Sequence, residues 1–491
     1  MQSLYKIIFP EQMKHEELYL HKEGKVILQD NQLFVGKYSK VDFLTYFNGF
    51  SLQKWKNFTT INQLIIQVNG IGNKTIEIYS IEQDKKHIIS SINNSENFVE
   101  FRLDIRELPG ILLGISIASE NSCIITGIEY KGTFDAYEEV SFCGVMCTFK
   151  REQFVKNNIE KIRSFSKQYK WMNLLVIDNG RTLVENEDEQ IKIIHNPNYG
   201  GSGGFTRGMI ECVRERKVNY LVLMDDDIEI EPLLFCKLRS FIGGLKGNYR
   251  NSFFSGAMLQ MEKPTIQYEC GAYWNKIKAV SYGRNLNLVN KESLLENEKE
   301  RNDENQYAAW WFCAIPLQRI IELGYPLPLF IKGDDIEYSL RNGLPVLTLN
   351  GIGVWHEGFK KKEAGWINYF SDRNMLMMHH FIKSDTRMMF FLSITLRIIR
   401  RLIFSQNWLL LEKTLYDYKA GLDAVVAINA EKKLEMIRSI KDEEKKWGVF
   451  IRIIKHWVEI MGKYSCLKKQ YRLFIEKNLK DEKFWEAYYK L

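Results

Sequence analysis

The sequence predicts a multidomain protein. An amino-terminal β-sandwich or barrel precedes a central doubly wound, Rossmann-like α/β domain, and a helical domain closes the chain. Three observations carry this reading. Up to about residue 135, β-branched residues alternate with polar ones. From about residue 140, short apolar strands alternate with helix-period segments. Beyond about residue 380, apolar residues recur every three or four positions. The expected boundaries are 1–135, 136–380 and 381–491, and 491 residues suffice for about two to four such units.

In the first region, "QLIIQVNGIGNKTIEIYSI" (63–81) alternates and breaks at Gly70–Asn73, a hairpin signal. "GILLGISIASENSCIITGIEYKG" (110–132) repeats the form. The central region opens with the strand "SFCGVMCTF" (141–149). A helix follows in "REQFVKNNIEKIRSFSK" (151–167), with Phe154, Ile159, Ile162 and Phe165 near helical spacing. "NLLVIDNG" (173–180) is a strand, "GGFTRGMIECVRE" (203–215) a helix opening on glycines, and "YLVLMDDD" (220–227) a strand again. Ligands of such sheets sit at the carboxyl ends of the strands, where Asp178 and the Asp225–Asp227 cluster fall. In the last region, 431–464 reads as amphipathic helix.

Composition narrows the class. Hydrophobic residues make up 45% and charged residues 26%, the balance of a soluble globular protein. No opening segment has the apolar core of a secretory signal, and no run reaches the roughly 18–20 apolar residues that span a bilayer. The longest apolar run, Met388–Leu396, is flanked by Arg387, Arg397, Arg400 and Arg401. Eight scattered cysteines give no zinc pattern and read as free thiols in a reducing cytosol. The net charge is +7, and residues 383–490 hold 23 Lys and Arg against 14 Asp and Glu. That tail suits an anionic phospholipid face; a helical domain with a basic exterior is the plainer alternative.

The three consecutive aspartates carry the chemistry. In an extended strand Asp225 and Asp227 point one way and Asp226 the other, so the D-x-D pair can hold a hard divalent cation. An isolated D-x-D is more often a polar strand exit, and its surroundings decide. "HNPNYGGSGGFTRG" (195–208) heads a helix and suits a phosphate ligand, although it is neither a Walker A loop nor a full dinucleotide fingerprint. Trp310 and Trp311 stand side by side; such pairs are usually core, but in a sugar site their faces stack on C–H groups. Asp334, Asp335 and Glu337 open a second acidic helix start, able to take a proton from a hydroxyl. "VWHEGF" (354–359) supplies His356 as a third candidate cation ligand.

Taken in order, "TFKRE", "VIDNG", "NPNYGGSGGFTRG", "MDDD", "WW", "GDDIEY" and "WHEGF" resemble the inverting GT-A glycosyltransferases of family 2. Within them the chain is most similar to bacterial galactofuranosyltransferases of the cell-wall galactan type. The resemblance spans residues 1 to about 385 and includes "DFLTYFNGFSLQKW" (42–55), which looks like that family's β-domain signature. It implies that Asp225, Asp227 and His356 hold Mn²⁺ or Mg²⁺. It places Thr148, Arg151, Asp178, Asn198, Gly201 and Asp226 on the donor side. It makes Asp335 the general base and Asp334 its acceptor-binding neighbour, with Trp310 and Trp311 as acceptor platform. Glu152 stands where the family often carries proline.

The activity so implied is transfer of galactofuranose from UDP-galactofuranose to a glycan or lipid-linked glycan, for cell-surface polysaccharide synthesis. The implied setting is the cytoplasmic face of the cell membrane, in an assembly of identical chains without nucleic acid. Family 2 also transfers rhamnose, galactopyranose and glucose, so the donor sugar stays open. A non-catalytic glycan-binding homologue predicts loss of the metal or base residues, and none is lost. A phosphohydrolase accounts poorly for twin tryptophans beside a single metal site.

Overall fold

The computed structural model describes the chain apart from residues 11–14, 84, 188–189, 359–364, 383–385, 406, 423–430, 442–445 and 491. Two antiparallel sheets form the amino-terminal region. One runs Val26–Gln29, Gln32–Val35, Cys123–Phe134, Ile61–Ile71, Phe98–Asp104, with Gln2–Lys6 also paired to Cys123–Phe134. The other runs His21–Glu23, Ser39–Asp42, Leu112–Ser119, Lys74–Glu82, Lys85–Asn94. Ile66, Val68 and Ile125 of the first sheet and Ile76, Ile78, Ile115 and Ile117 of the second are fully buried in one cluster. This is the geometry of a sandwich.

The two expected hairpins are not hairpins. Ile61–Ile71 and Lys74–Glu82 lie in different sheets, as do Leu112–Ser119 and Cys123–Phe134. Each turn carries the chain across the sandwich. Alternation shows only that one face of a strand is buried, and both kinds of connection satisfy it. Gly72, at φ +92°, makes the first crossing; a β-carbon there would press on the Ser122 carbonyl.

The stretch 42–55 forms the seam with the next region. Phe43, Leu44, Tyr46, Phe47, Phe50, Leu52 and Trp55 are buried, and Trp55 meets Phe241 edge-on with ring centroids 5.1 Å apart. Lys237, from the helix Leu234–Gly243, reaches across it. Its Nζ sits 4.1 Å above the Tyr5 ring, and burial pushes its pKa down to about 7.

The central region is built on an eight-stranded sheet. Its parallel part follows the order Ile191–His195, Met172–Asp178, Phe142–Thr148, Tyr220–Asp225. In chain sequence that order is 3-2-1-4, so it reverses between Phe142–Thr148 and Tyr220–Asp225. A crevice opens at such a reversal. Phe312–Pro316 adds antiparallel to Tyr220–Asp225. The helix Glu152–Gln168 buries Val155, Ile159, Ile162 and Phe165, while Phe154, expected on that face, is exposed.

The helix Gly200–Glu215 packs on these strands without a gap. A β-carbon at Gly204 would collide with Cys147 Sγ, and one at Gly208 with Val145 Cγ1. Those glycines serve contact with the sheet. Gly201 has open space where a side chain would stand.

Among the described residues, five helices close the chain: Arg387–Phe404, Trp408–Ala420, Glu431–Ser439, Lys446–Asn478 and Glu482–Tyr489. The segment 431–464, expected as one amphipathic stretch, holds two helices, and its residues 442–445 lie outside the described ones. Tyr489 Oη donates 2.6 Å to the Gly203 carbonyl, so the last helix docks on the glycine-rich one. One hydrophobic cluster runs from Leu4 through Val222 to Tyr489 and joins all three regions.

Candidate active site

The strand Tyr220–Asp225 releases its three aspartates at the sheet's reversal. Met146↔Met224 and Cys147↔Asp225 pairing sets Thr148 beside the cluster. Thr148 Oγ1 donates 2.8 Å to Asp226 Oδ2. Arg151 Nη1 lies 3.3 Å from Asp226 Oδ1 and 2.5 Å from Asp227 Oδ2. Asp226 and Asp227 leave the strand in a turn and share the Arg151 Nη1, so the strict alternation expected of an extended strand stops at Asp225. Burial pushes its pKa up to about 6; Arg151 opposes the shift, and the Asp227 and Asp225 charges reinforce it.

His356 arrives from a separate sheet. Gly353–His356 pairs antiparallel with Ile228–Glu229, and the Ile228↔His356 register sets the imidazole against the aspartates. Its Nε2 is 3.4 Å from Asp225 Oδ2 and 3.2 Å from Asp227 Oδ1. Its Nδ1 is 2.6 Å from the Glu357 carbonyl, which accepts an N–H from that nitrogen and leaves Nε2 toward the carboxylates. Burial lowers the ring's pKa, but hydrogen bonds and charge from Asp225 and Asp227 outweigh it and raise it to about 9. A ring that must bind a proton to live there can bind a metal ion instead. Two carboxylates and an imidazole, with one ligand atom each within 4.8 Å of the others, form a possible cation site. Oxygen-rich donors with one nitrogen fit Mn²⁺ or Mg²⁺.

The second acidic cluster starts the helix Asp334–Asn342, capped by Gly333 at φ 89°. Burial raises Asp334, and Asp335 and then Asp225 add to it. Asp335 is also raised by burial, and the Asp225 charge reinforces this against the Ile336 N–H and Lys332. The two clusters therefore share one electrostatic field. The partly buried Cys147 thiol lies in the same field: desolvation raises its pKa, followed by Asp226, Asp225, Asp334 and Asp178.

Glu269, at the end of the strand Lys263–Glu269, belongs here too, and sequence reading missed it. It is 4% exposed, and burial pushes its pKa to about 7, with Ser281 opposing and Asp335 reinforcing the shift. Nothing in "QYECG" marks it, because a strand glutamate acquires meaning only through the fold that surrounds it.

Other expected residues stand elsewhere than their pattern suggested. Asp178 is fully buried. Its Oδ1 accepts from the Gly180 N–H and its Oδ2 from those of Thr182 and Leu183, so it fixes the loop after its strand. Asn198 Oδ1 accepts from the Gly200 N–H at 3.2 Å and shapes the helix start, next to open Gly201. Trp310 and Trp311 do not form one platform. They are 4% and 8% exposed and lie in separate hydrophobic clusters. Trp310 packs edge-on against Phe205, while Trp311 Nε1 donates to the Gly256 carbonyl. Adjacent residues entering a strand point to opposite sides, and both sides here are core. Glu337 pairs with Arg341 inside the helix packing. Of the WHEGF stretch, Phe359 lies outside the described residues.

A switch-point crevice with a carboxylate–imidazole cation site and a nearby carboxyl pair is a layout suited to a nucleotide-sugar transferase. Residues 143–245 match the family model Glycosyl transferase family 2, so the chain carries a glycosyltransferase domain of that kind. Residues 4–128 match Galactofuranosyltransferase 2 N-terminal. The chain is related to Galactofuranosyltransferase GlfT2 of Mycolicibacterium smegmatis, 25% identical over 70% of this chain and 58% of the relative. It is similarly related to GlfT2 of Mycobacterium tuberculosis, 26% identical over 70% of this chain and 59% of the relative. It thus spans less than two thirds of the length of these curated relatives. Among solved structures, S. aureus TarS 1-349 in complex with UDP aligns with 66% of this chain and 91% of that one, at 10% identity and a TM-score of 0.36.

Proposed function

We propose that the chain is a metal-dependent, inverting glycosyltransferase that moves galactofuranose from UDP-galactofuranose to a hydroxyl of a glycan or lipid-linked glycan. The observation that carries this is the Asp225, Asp227 and His356 triad facing the Asp334–Asp335 pair at the sheet's reversal. The relatives' activity supplies the donor sugar. A bound Mn²⁺ or Mg²⁺ supplies Lewis-acid neutralisation of a leaving diphosphate.

The chain's own residues do the remainder. Asp225, Asp227 and His356 hold the cation. Arg151 holds Asp226 and Asp227 in place and adds positive charge on the donor side. Thr148 fixes Asp226, and Asp178 and Asn198 set the loop and helix start beside open Gly201 for the nucleotide. Asp335 accepts the proton of the attacking hydroxyl; its raised pKa brings it toward neutrality, where a base works best. Asp334 and Glu269 face the acceptor sugar. Displacement from the side opposite the diphosphate inverts the anomeric centre.

Incubation with UDP-galactofuranose and a lipid-linked glycan, followed by mass analysis, tests the reading. Added mass of one or more hexoses, lost on chelation and restored by Mn²⁺ or Mg²⁺, is expected. Transfer only from nucleotide-linked rhamnose, galactopyranose or glucose replaces the donor. No transfer from any of them leaves a glycan-binding homologue.

The helical region suits peripheral attachment to the inner face of the cell membrane, where a lipid-linked acceptor is presented. Met388, Leu392, Leu396, Ile399, Ile403 and Phe404 form an exposed stripe on Arg387–Phe404, and Trp447, Ile451, Ile454 and Val458 one on Lys446–Asn478. No described helix is long and apolar enough to cross a membrane. Contact between identical chains is the competing use of these stripes.

A further inference from the structure

The sheet beside Glu269 has a second side. It is a three-stranded sheet in the order Ala279–Ser281, Ala272–Trp274, Gln306–Tyr307. Ser281 and Tyr307 interact with Glu269 on the carboxylate side, and the Tyr307 pKa is raised by burial and then by Glu269 and Asp335. Their chain neighbours Tyr282 and Gln306, with Cys270 next to Glu269, line a separate cavity of about 520 Å³. Alternation along the strands explains the division. The other walls come from the helix Leu52–Phe58 of the sandwich, from residues 299–305 and from 343–348. The cavity thus lies where the sandwich meets the catalytic region, one sheet away from the carboxylates.

Its lining identifies a ligand class. Phe58, Tyr249, Tyr282 and Phe381 offer aromatic surface, and Asn302 and Asn305 offer amides at the mouth. The cations are already committed. Lys54 Nζ donates to the Asn297 carbonyl at 2.6 Å and to Thr348 Oγ1 at 2.9 Å. Lys299 and Arg301 pair with the two carboxylate oxygens of Glu296, at 2.5 and 2.8 Å. Arg301 also lies 5.1 Å from the Tyr282 ring, whose hydroxyl donates 2.8 Å to Asp303. A phosphate would have to break these pairs. A neutral polyhydroxylated molecule need not: its C–H faces meet the rings and its hydroxyls the amides and Asp303. The volume falls within the 300–1,000 Å³ class of ligand pockets, room for roughly two or three sugar rings.

We infer that this cavity is a second saccharide site, distinct from the donor and acceptor positions at the carboxylates. It holds a neutral oligosaccharide stretch of the glycan on which the enzyme acts, so that the chain stays bound between transfers. The identity of that glycan rests on the proposed transferase activity; the existence of the site does not.

The test is calorimetric titration of the full chain with linear hexasaccharides of galactofuranose and of glucose. Saturable binding of at least one is expected. Tyr282→Ala removes a lining ring already engaged by Tyr273 and Arg301, together with the hydroxyl that holds Asp303, and should weaken it several-fold. Asp303→Ala, at the exposed mouth, should weaken it a few-fold without threatening the fold. Neither change should alter UDP affinity or the rate of a single transfer to a short acceptor. Wild-type affinity in both variants overturns the site, as does failure of both hexasaccharides to bind the wild type. If binding depends on Tyr282 while no transfer from UDP-galactofuranose occurs, the cavity stands and the donor assignment falls. If transfer proceeds and hexasaccharide binding ignores both variants, the cavity falls alone.

Discussion

The two acidic clusters differ in how the protein answers their charge. Asp226 and Asp227 have Arg151 within 3.3 and 2.5 Å, and Asp225 and Asp227 have His356 within 3.4 and 3.2 Å. The strand-end cluster is thus faced by two cationic groups and is suited to holding positive charge. Among the described residues, Asp334 and Asp335 are answered by backbone N–H groups and, for Asp335, by Lys332, and burial raises both. The helix-start cluster is built to exchange a proton. Two similar runs of aspartate in the sequence become a cation site and a base because one is compensated and the other is not.

The largest effect should come from breaking the compensated cluster. Asp227→Ala removes a carboxylate shared by Arg151 and His356 and should abolish transfer while the thermal transition persists. Even an outer partner of a metal ligand is worth about 10–100-fold, so a ligand should exceed that. Metal-dependent turnover near wild type in the variant would remove Asp227 from the cation site.

Asp335→Asn probes the other cluster. Asparagine keeps the shape and cannot take a proton, so turnover should fall by about 10²–10⁴-fold with UDP affinity kept. In the wild type, activity should rise with pH through an acid limb above the ordinary carboxylate range, because Asp335 works deprotonated and its pKa is raised. A variant that loses UDP affinity at an unchanged rate would make Asp335 a donor contact.

Glu269 sharpens the contrast in stability instead of rate. Its folded pKa of about 7 exceeds that of an unfolded glutamate, about 4.3. Between these values the folded chain holds a proton that the unfolded chain has released. Its contribution is present at low pH and is lost as pH rises through about 7. Glu269→Gln should therefore flatten the fall in stability between pH 5 and 8, by at most about 3 kcal/mol. Thermal melts of both proteins across that range measure it. A parallel pair of curves would mean that Glu269 is ionised in the folded protein.

Much of the central region was legible because its rules are local. Strand and helix periods differ, and a polar run at a strand end stands out, so Asp225, Asp227 and His356 could be named before they were seen together. What escaped depends on partners distant in sequence. The turns at Gly72 and near Ser122 look like hairpins, yet the two strands flanking each turn do not pair with each other: Ile61–Ile71 pairs with Phe98–Asp104 and Cys123–Phe134, and Lys74–Glu82 with Lys85–Asn94 and Leu112–Ser119. Asp178 stands out as a strand-end carboxylate, but the three backbone N–H groups that its oxygens accept are seen only in the fold. Trp310 and Trp311 looked like a platform until the sheet separated them into two cores. Glu269 carried no signal at all.

The same contrast recurs, on a smaller scale, in the basic tail. Arg397, Arg400 and Arg401 look alike in sequence. Arg397 Nη1 lies 3.3 Å from Asp372 Oδ1 and its Nη2 donates to the Ile277 carbonyl, and Arg401 Nε lies 2.5 Å from Asp372 Oδ2. Arg400 is exposed beside the apolar stripe. On the helix Lys446–Asn478, Arg452 pairs with Glu412 and His456 is buried, while Lys455 is exposed. Arg397→Ala should therefore cost about 1–3 kcal/mol of stability by leaving Asp372 short of a partner. Arg400→Ala should change stability by no more than about 0.5 kcal/mol. If the stripe meets anionic lipid, Arg400→Ala should also weaken vesicle binding by about 1 kcal/mol, an effect that vanishes at high salt. Co-sedimentation with phosphatidylserine vesicles at low and high salt reads it directly. Equal binding by the wild type and Arg400→Ala at low salt would remove Arg400 from the lipid contact, and no binding by either would assign the exposed stripe to contact between chains.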